Sequence, residues 1–111
     1  MRFILMAILV AAVPAAAQDV KIIMHPVAGN VHMLEGRGGN IGVSAGEDGL
    51  LIIDTQYANI AGPILDALKA LNPGPLKFVI NTHFHGDHTG GNIELAQNTP
   101  VVAHANVRTR M

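Results

Sequence analysis

The sequence predicts an α/β (α+β) fold, a mixed sheet with helices on one face. Two observations carry that expectation. Short apolar runs separated by glycine turns follow one another up to residue 53. After them the pattern reads helix, strand, loop, helix, strand, an order that lays helices against a sheet rather than into a bundle.

The elements follow in order. Val20 to Pro26 and Asn30 to Leu34 read as two strands joined by a turn at Ala28-Gly29-Asn30. Residues 36–39 form a glycine-rich turn, and Ile41 to Ala45 is the next strand. Gly46-Glu47-Asp48-Gly49 is a turn signal, so Leu50 to Ile53 should pair with that strand as a hairpin. From Ala58 to Leu71, Ile60, Ile64, Leu65, Leu68 and Leu71 recur at helical spacing. Pro63 falls near the start of this helix, where proline is tolerated, and Asn72-Pro73-Gly74-Pro75 stops it. Leu76 to Ile80 is a short apolar strand, Ile93 to Ala96 a short helix, and Val101 to Ala103 a buried strand. A final helix opens at Asn106, and no helix stop signal follows it. Residues 18–111 are therefore expected to be the N-terminal part of a larger domain.

Composition bounds the function. With 111 residues the chain is at most one domain, and with half of them hydrophobic and 14% charged it is globular rather than disordered. Met1-Arg2 precedes an apolar run from Phe3 to Val13, and Pro14-Ala15-Ala16-Ala17 supplies small residues before Gln18. That layout predicts a signal peptide over residues 1–17 and a periplasmic or secreted product. The run is too short to span a bilayer comfortably, and no membrane association is expected after cleavage. A net charge of −1 gives no reason to propose nucleic acid or anionic lipid as a partner, and the expected partner is a small-molecule substrate. Cysteine is absent, so thiolate ligands and disulfides are excluded. Oligomeric state leaves no signal.

The chemistry concentrates in Asn81-Thr82-His83-Phe84-His85-Gly86-Asp87-His88-Thr89-Gly90-Gly91. Here His83, His85, Asp87 and His88 offer imidazole and carboxylate donors, the set that catalytic zinc prefers. On extended chain alternate side chains share a face, so His83 and His85 would converge while Phe84 points to the core. Gly86 frees the backbone to turn, which would let Asp87 and His88 face a second ion. Two neighbouring metals can lower the pKa of a shared water toward neutrality and direct it at an electrophile. Asn81 or Thr82 would hold the ligands from behind. A hydrogen-bonded loop without metal is the plainer alternative.

This run, with Asn-Thr before it and Thr-Gly-Gly-Asn after it, resembles the His-x-His-x-Asp-His signature of the metallo-β-lactamase-fold hydrolases. The resemblance reaches back through Leu51-Ile52-Ile53-Asp54-Thr55 to Val31. It implies the N-terminal half of an αββα sandwich. His83 and His85 would then bind a first Zn2+, Asp87 and His88 a second, and Asp87 would act catalytically by orienting or deprotonating the attacking water. It also implies further ligands from the second half of the domain: a histidine, a bridging aspartate and a last histidine. The presence of His88 points to the glyoxalase-II-like, broad hydrolase and all-histidine lactamase branches.

The remaining polar residues have plainer readings. Asp54 either caps a turn or helix or, by the resemblance, supports the metal loop. His25 and His32 should be surface residues of edge strands, and His104 a hydrogen-bonding residue at a strand end. The turn over residues 36–39 could border a pocket, and Arg108 and Arg110 suit a solvated helix face. Two functions follow. One is a zinc-dependent hydrolase of an ester, thioester, amide or lactam, with two zincs per complete domain. The other is a non-catalytic fragment that binds metal weakly or not at all, with one apolar sheet face open to water.

Overall fold

A computed structural model describes residues 20–111; the expected signal peptide lies outside them. Six strands form one sheet in chain order: β1 Ile23–Ala28, β2 Val31–Glu35, β3 Asn40–Gly46, β4 Gly49–Ile53, β5 Leu76–Asn81 and β6 Val101–Ala103. The pairs from β1 to β4 are antiparallel, and β4–β5 and β5–β6 are parallel, so the sheet is mixed as expected. The first strand starts three residues later than its apolar pattern, because only from Ile23 does a partner, Glu35, stand opposite.

The expected long helix is a 3₁₀ turn over Ala58–Ile60 that runs into α1, Ala61–Leu71. Pro63 sits in the first turn of α1, where its missing N–H costs no hydrogen bond. Ile60, Ile64 and Leu68 are buried against Leu34, Ile41, Val43, Ile52 and Val79 on one sheet face. Burying each such side chain contributes roughly 1.5–3 kcal/mol, so this seam holds the helix on the sheet. Short helices follow at α2 Gly86–Thr89, α3 Asn92–Leu95 and α4 Ala105–Arg110.

Among the described residues no helix covers the opposite sheet face. The strand register lines Val31, Ile53, Phe78 and Val102 along it, each between 40% and 50% exposed.

Three expectations need correction. Strand β6 is exposed rather than buried, because it pairs only with β5 and forms the sheet edge. His32 is not on an edge strand: β2 lies between β1 and β3, and its Nδ1 is buried without a partner. Phe84 does not enter the core; it is half-buried, with the Arg110 guanidinium 5.2 Å from its ring centre. Arg110 itself stays exposed, as expected of it.

Candidate metal centre

Parallel pairing of β4 with β5 builds the site. Ile53 stands opposite Ile80, so the C-terminal ends of the two strands lie side by side. Asp54 continues one strand, and Asn81, Thr82 and the ligand loop continue the other. Polar groups at the carboxyl ends of parallel strands lie beyond the ladder and are free to serve a site.

Asp54 is the anchor. It is 5% exposed and adopts φ 66°, a left-handed conformation that aspartate tolerates better than most residues. Its backbone N–H donates to Ile80 O at 2.7 Å, which locks the turn to β5. Its Oδ1 accepts from the Thr82 N–H at 2.8 Å; its Oδ2 accepts from Thr82 Oγ1 and from His88 Nδ1, both at 2.7 Å. An ionised carboxylate only accepts, so the short contact to Asp54 places a proton on His88 Nδ1. No helix-capping bond is made by Asp54: neither Tyr57 nor Ile60, the residues that open the 3₁₀ turn and α1, has a side-chain cap. Of its two sequence readings, the support beneath the loop is the one the geometry bears.

Behind the ligands a second set of bonds holds the loop backbone. The His88 carbonyl accepts from the Thr55 N–H at 2.9 Å, from Thr55 Oγ1 at 3.2 Å and from Asn81 Nδ2 at 3.2 Å. Asn92 Nδ2 donates to Asn81 Oδ1 at 2.6 Å, and Asn92 Oδ1 accepts from Thr55 Oγ1 at 2.9 Å. Gly91 packs so tightly that a Cβ there would meet Thr55 O at 2.4 Å. Asn81 therefore braces the backbone of the loop, while Thr82 touches the side chain of His83.

The four expected ligands are placed as follows. One ligand atom each from His83, His85 and Asp87 lies within 4.8 Å of the others. His88 is outside that trio but adjacent to it: its Nε2 is 3.3 Å from Asp87 Oδ2, and its ring centre is 3.9 Å from that of His83. His85 opens α2 with extended backbone, φ −61° and ψ 147°, which turns its ring back toward His83, 4.8 Å away between centres.

The donor set fits a zinc ion. Two atoms bound to one zinc at roughly 2.1 Å are at most about 4.2 Å apart, so the trio closes on an ion with shifts under about 1 Å. Two imidazoles and a carboxylate would leave a coordination position open.

Two further residues border the site that the sequence did not single out. A Cβ on Gly38 (φ +86°) would meet the Tyr57 ring at 2.7 Å and Asp87 Cβ at 3.4 Å, so the glycine turn and Tyr57 together wall the metal loop. The buried Gln56 ties this wall to the loop. Its Nε2 donates to Gly39 O at 2.7 Å and its backbone carbonyl accepts from the Gly91 N–H at 2.9 Å. Those bonds offset a left-handed φ of 52°, a strain of order 1 kcal/mol. Glycine richness at residues 36–39 was the available signal for the wall; nothing in the local pattern marks Tyr57 or Gln56.

The other histidines stand apart. His25 Nε2 lies 2.8 Å from Glu35 Oε2 on the surface, and His104 Nδ1 caps α4 by accepting from the Asn106 N–H at 3.2 Å. A groove of ≈ 810 Å³ lies beyond Asn81 and Asn92, along β6 and α4, and includes none of the four ligands.

The comparisons agree with this geometry. A hydroxyacylglutathione hydrolase from Methylococcus capsulatus is 50% identical over 54 residues, which are 47% of this chain and 21% of that protein. A solved B3 metallo-beta-lactamase with an active-site glutamic acid is 28% identical, with a TM-score of 0.71 over 78% of this chain and 34% of its own. A metallo-beta-lactamase of Pseudomonas aeruginosa in its mono-zinc form shares the fold at 20% identity, with a TM-score of 0.70 over 83% of this chain and 47% of its own. This chain thus spans about a fifth of the curated relative and under half of each solved structure. The sequence model described as the metallo-beta-lactamase superfamily matches residues 34–111, from the end of β2 through the ligand loop to α4. With that match covering most of the chain, including the loop of candidate ligands and the strand ends that frame it, the chain belongs to the metallo-beta-lactamase superfamily.

Proposed function

We propose that the protein is a zinc-dependent hydrolase acting on an ester, thioester, amide or lactam of a small molecule. One observation carries the reading: His83, His85 and Asp87 bring three metal-type donors within 4.8 Å on a loop braced from behind. In this proposal His83 and His85 hold a first zinc, and Asp87 and His88 a second. Zinc, when bound, supplies Lewis acidity and an acidified water. Asp87 would orient the attacking water or take its proton. Asp54 orients the His88 ring by accepting from its Nδ1. Gly38 and Tyr57 bound the substrate's approach from one side.

Family membership and the hydroxyacylglutathione hydrolase relative support a hydrolase that uses a metal. The same relative makes a thioester the first substrate class to assay, and the lactamase neighbours make a lactam the second. No helix among the described residues is long and apolar enough to cross a membrane. The N-terminal pattern supports export to the periplasm or outside.

The test is zinc by elemental analysis, with hydrolysis of a thioester panel and a chromogenic cephalosporin, on the protein and its His83→Ala/His85→Ala variant. Loss of both metal and turnover in the variant is expected; unchanged zinc content and hydrolysis would remove the proposal. A second reading, a non-catalytic half-domain binding metal weakly or not at all, draws on two features. All the convergent ligands come from one loop, and one apolar sheet face is open. Absence of stoichiometric zinc from the unsubstituted protein would favour it.

A further inference from the structure

We propose that Thr82 is a positioning residue that selects the ring tautomer of His83 and so decides which of its nitrogens can bind metal. The argument is one of counting protons. Thr82 Oγ1 lies 2.7 Å from Asp54 Oδ2 and 3.0 Å from His83 Nδ1. A hydroxyl has one proton and two lone pairs. The bond to the carboxylate is shorter and charge-assisted, and a carboxylate cannot donate, so the hydroxyl proton goes to Asp54. What remains facing His83 is an oxygen lone pair. A lone pair on Nδ1 would oppose it, whereas an Nδ1–H completes a hydrogen bond. His83 is therefore protonated on Nδ1 and offers Nε2 as its free donor.

Free neutral histidine favours the other tautomer, with its proton on Nε2, so the local bond opposes the intrinsic preference. The consequence is that one buried carboxylate sets two rings. Asp54 acts on His88 directly through Nδ1 at 2.7 Å and on His83 through the Thr82 hydroxyl. The Thr82 backbone N–H, bound to Asp54 Oδ1 at 2.8 Å, fixes the hydroxyl's distance from both partners. The two rings, with centres 3.9 Å apart, thereby each carry a proton on Nδ1. That this protonation serves metal binding rests on the hydrolase reading above; the bonding itself does not.

The experiment reads the tautomer without metal. Ring ¹⁵N chemical shifts of His83 are recorded on the protein in excess chelator at a pH where the ring is neutral, and zinc affinity is then measured by competition with a chromogenic chelator. Thr82→Ser keeps the hydroxyl and Thr82→Val removes it at nearly constant shape. Expected is an Nδ1–H ring in the unsubstituted protein and in Thr82→Ser. Thr82→Val should shift the ring toward Nε2–H, with zinc affinity 10- to 100-fold lower, the range found when a partner of a ligating histidine is lost. An Nε2–H ring in the unsubstituted protein overturns the proposal, and needs no variant to fold. So does a Thr82→Val protein that keeps both the Nδ1–H ring and full zinc affinity. An Nδ1–H ring that Thr82→Val disturbs, in a protein that takes up no zinc, upholds the bonding and sinks the hydrolase reading instead.

Discussion

Replacing Asp54 by asparagine isolates the buried carboxylate from its backbone. Asparagine tolerates a left-handed φ as aspartate does, so the turn at φ 66° adds no strain of its own. The amide keeps one oxygen for the Thr82 N–H and presents an NH2 where Oδ2 accepted from Thr82 Oγ1 and His88 Nδ1. Two charge-assisted bonds, each worth roughly 1.5–3 kcal/mol, are thereby lost. Water reaches Thr82, and the His88 side chain is 24% exposed, so the low end of that range applies. Part of it returns if His88 moves its proton to Nε2 and accepts from the new NH2. The net loss is about 1–2 kcal/mol, which for a domain of this size lowers the melting temperature by roughly 5–15 °C. The same proton shift occupies the nitrogen that faces Asp87 at 3.3 Å, so zinc affinity should also fall, by about 10- to 100-fold. Thermal melts in excess chelator read the first effect and chelator competition the second. An Asp54→Asn protein that melts within about 2 °C of its parent and binds zinc equally well would refute the reasoning.

Two other substitutions test the frame around the loop. Gly91→Ala would drive a methyl to 2.4 Å from Thr55 O and 3.1 Å from Thr55 Cβ, and because the first obstacle is backbone the loop must move. A loss of roughly 1–3 kcal/mol in urea unfolding is expected, with weakened zinc uptake, and a neutral result would mean that the loop is not held against Thr55. Ile64→Ala empties the fully buried centre of the α1 seam. It should cost roughly 2–5 kcal/mol in the same assay, while zinc uptake under conditions where the variant stays folded should be little changed.

Much of the fold was legible because it is written in local periodicity. Glycine turns with alternating apolar runs located β2, β3 and β4, and Ile60, Ile64 and Leu68 at helical spacing located the face that α1 buries. The ligand loop was legible for the same reason. His83, His85, Asp87 and His88 lie within six positions, so chain geometry alone brings them near each other. Where the reading failed, a neighbour distant in sequence decided the outcome. Val101 and Val102 have the composition of a buried strand, yet with a single flanking strand they stand 42% and 50% exposed. Phe84 follows the alternation of an extended chain, but the backbone leaves β5 at Asn81 and the ring meets Arg110 instead.

The sequence by itself determined the strands, the seam of the main helix, the identity of the candidate ligands and their membership of one loop, since each depends on residues a few positions apart. Only the tertiary structure decided what holds those ligands and what stands beside them. Parallel pairing of Ile53 with Ile80 sets Asp54 under His88, 34 positions later, and the β2–β3 turn brings Gly38 against Tyr57 and Asp87. Hydrogen-bond direction, ring tautomer and the wall of the site are properties of atoms that meet across the fold, and no local pattern of side chains specifies such meetings.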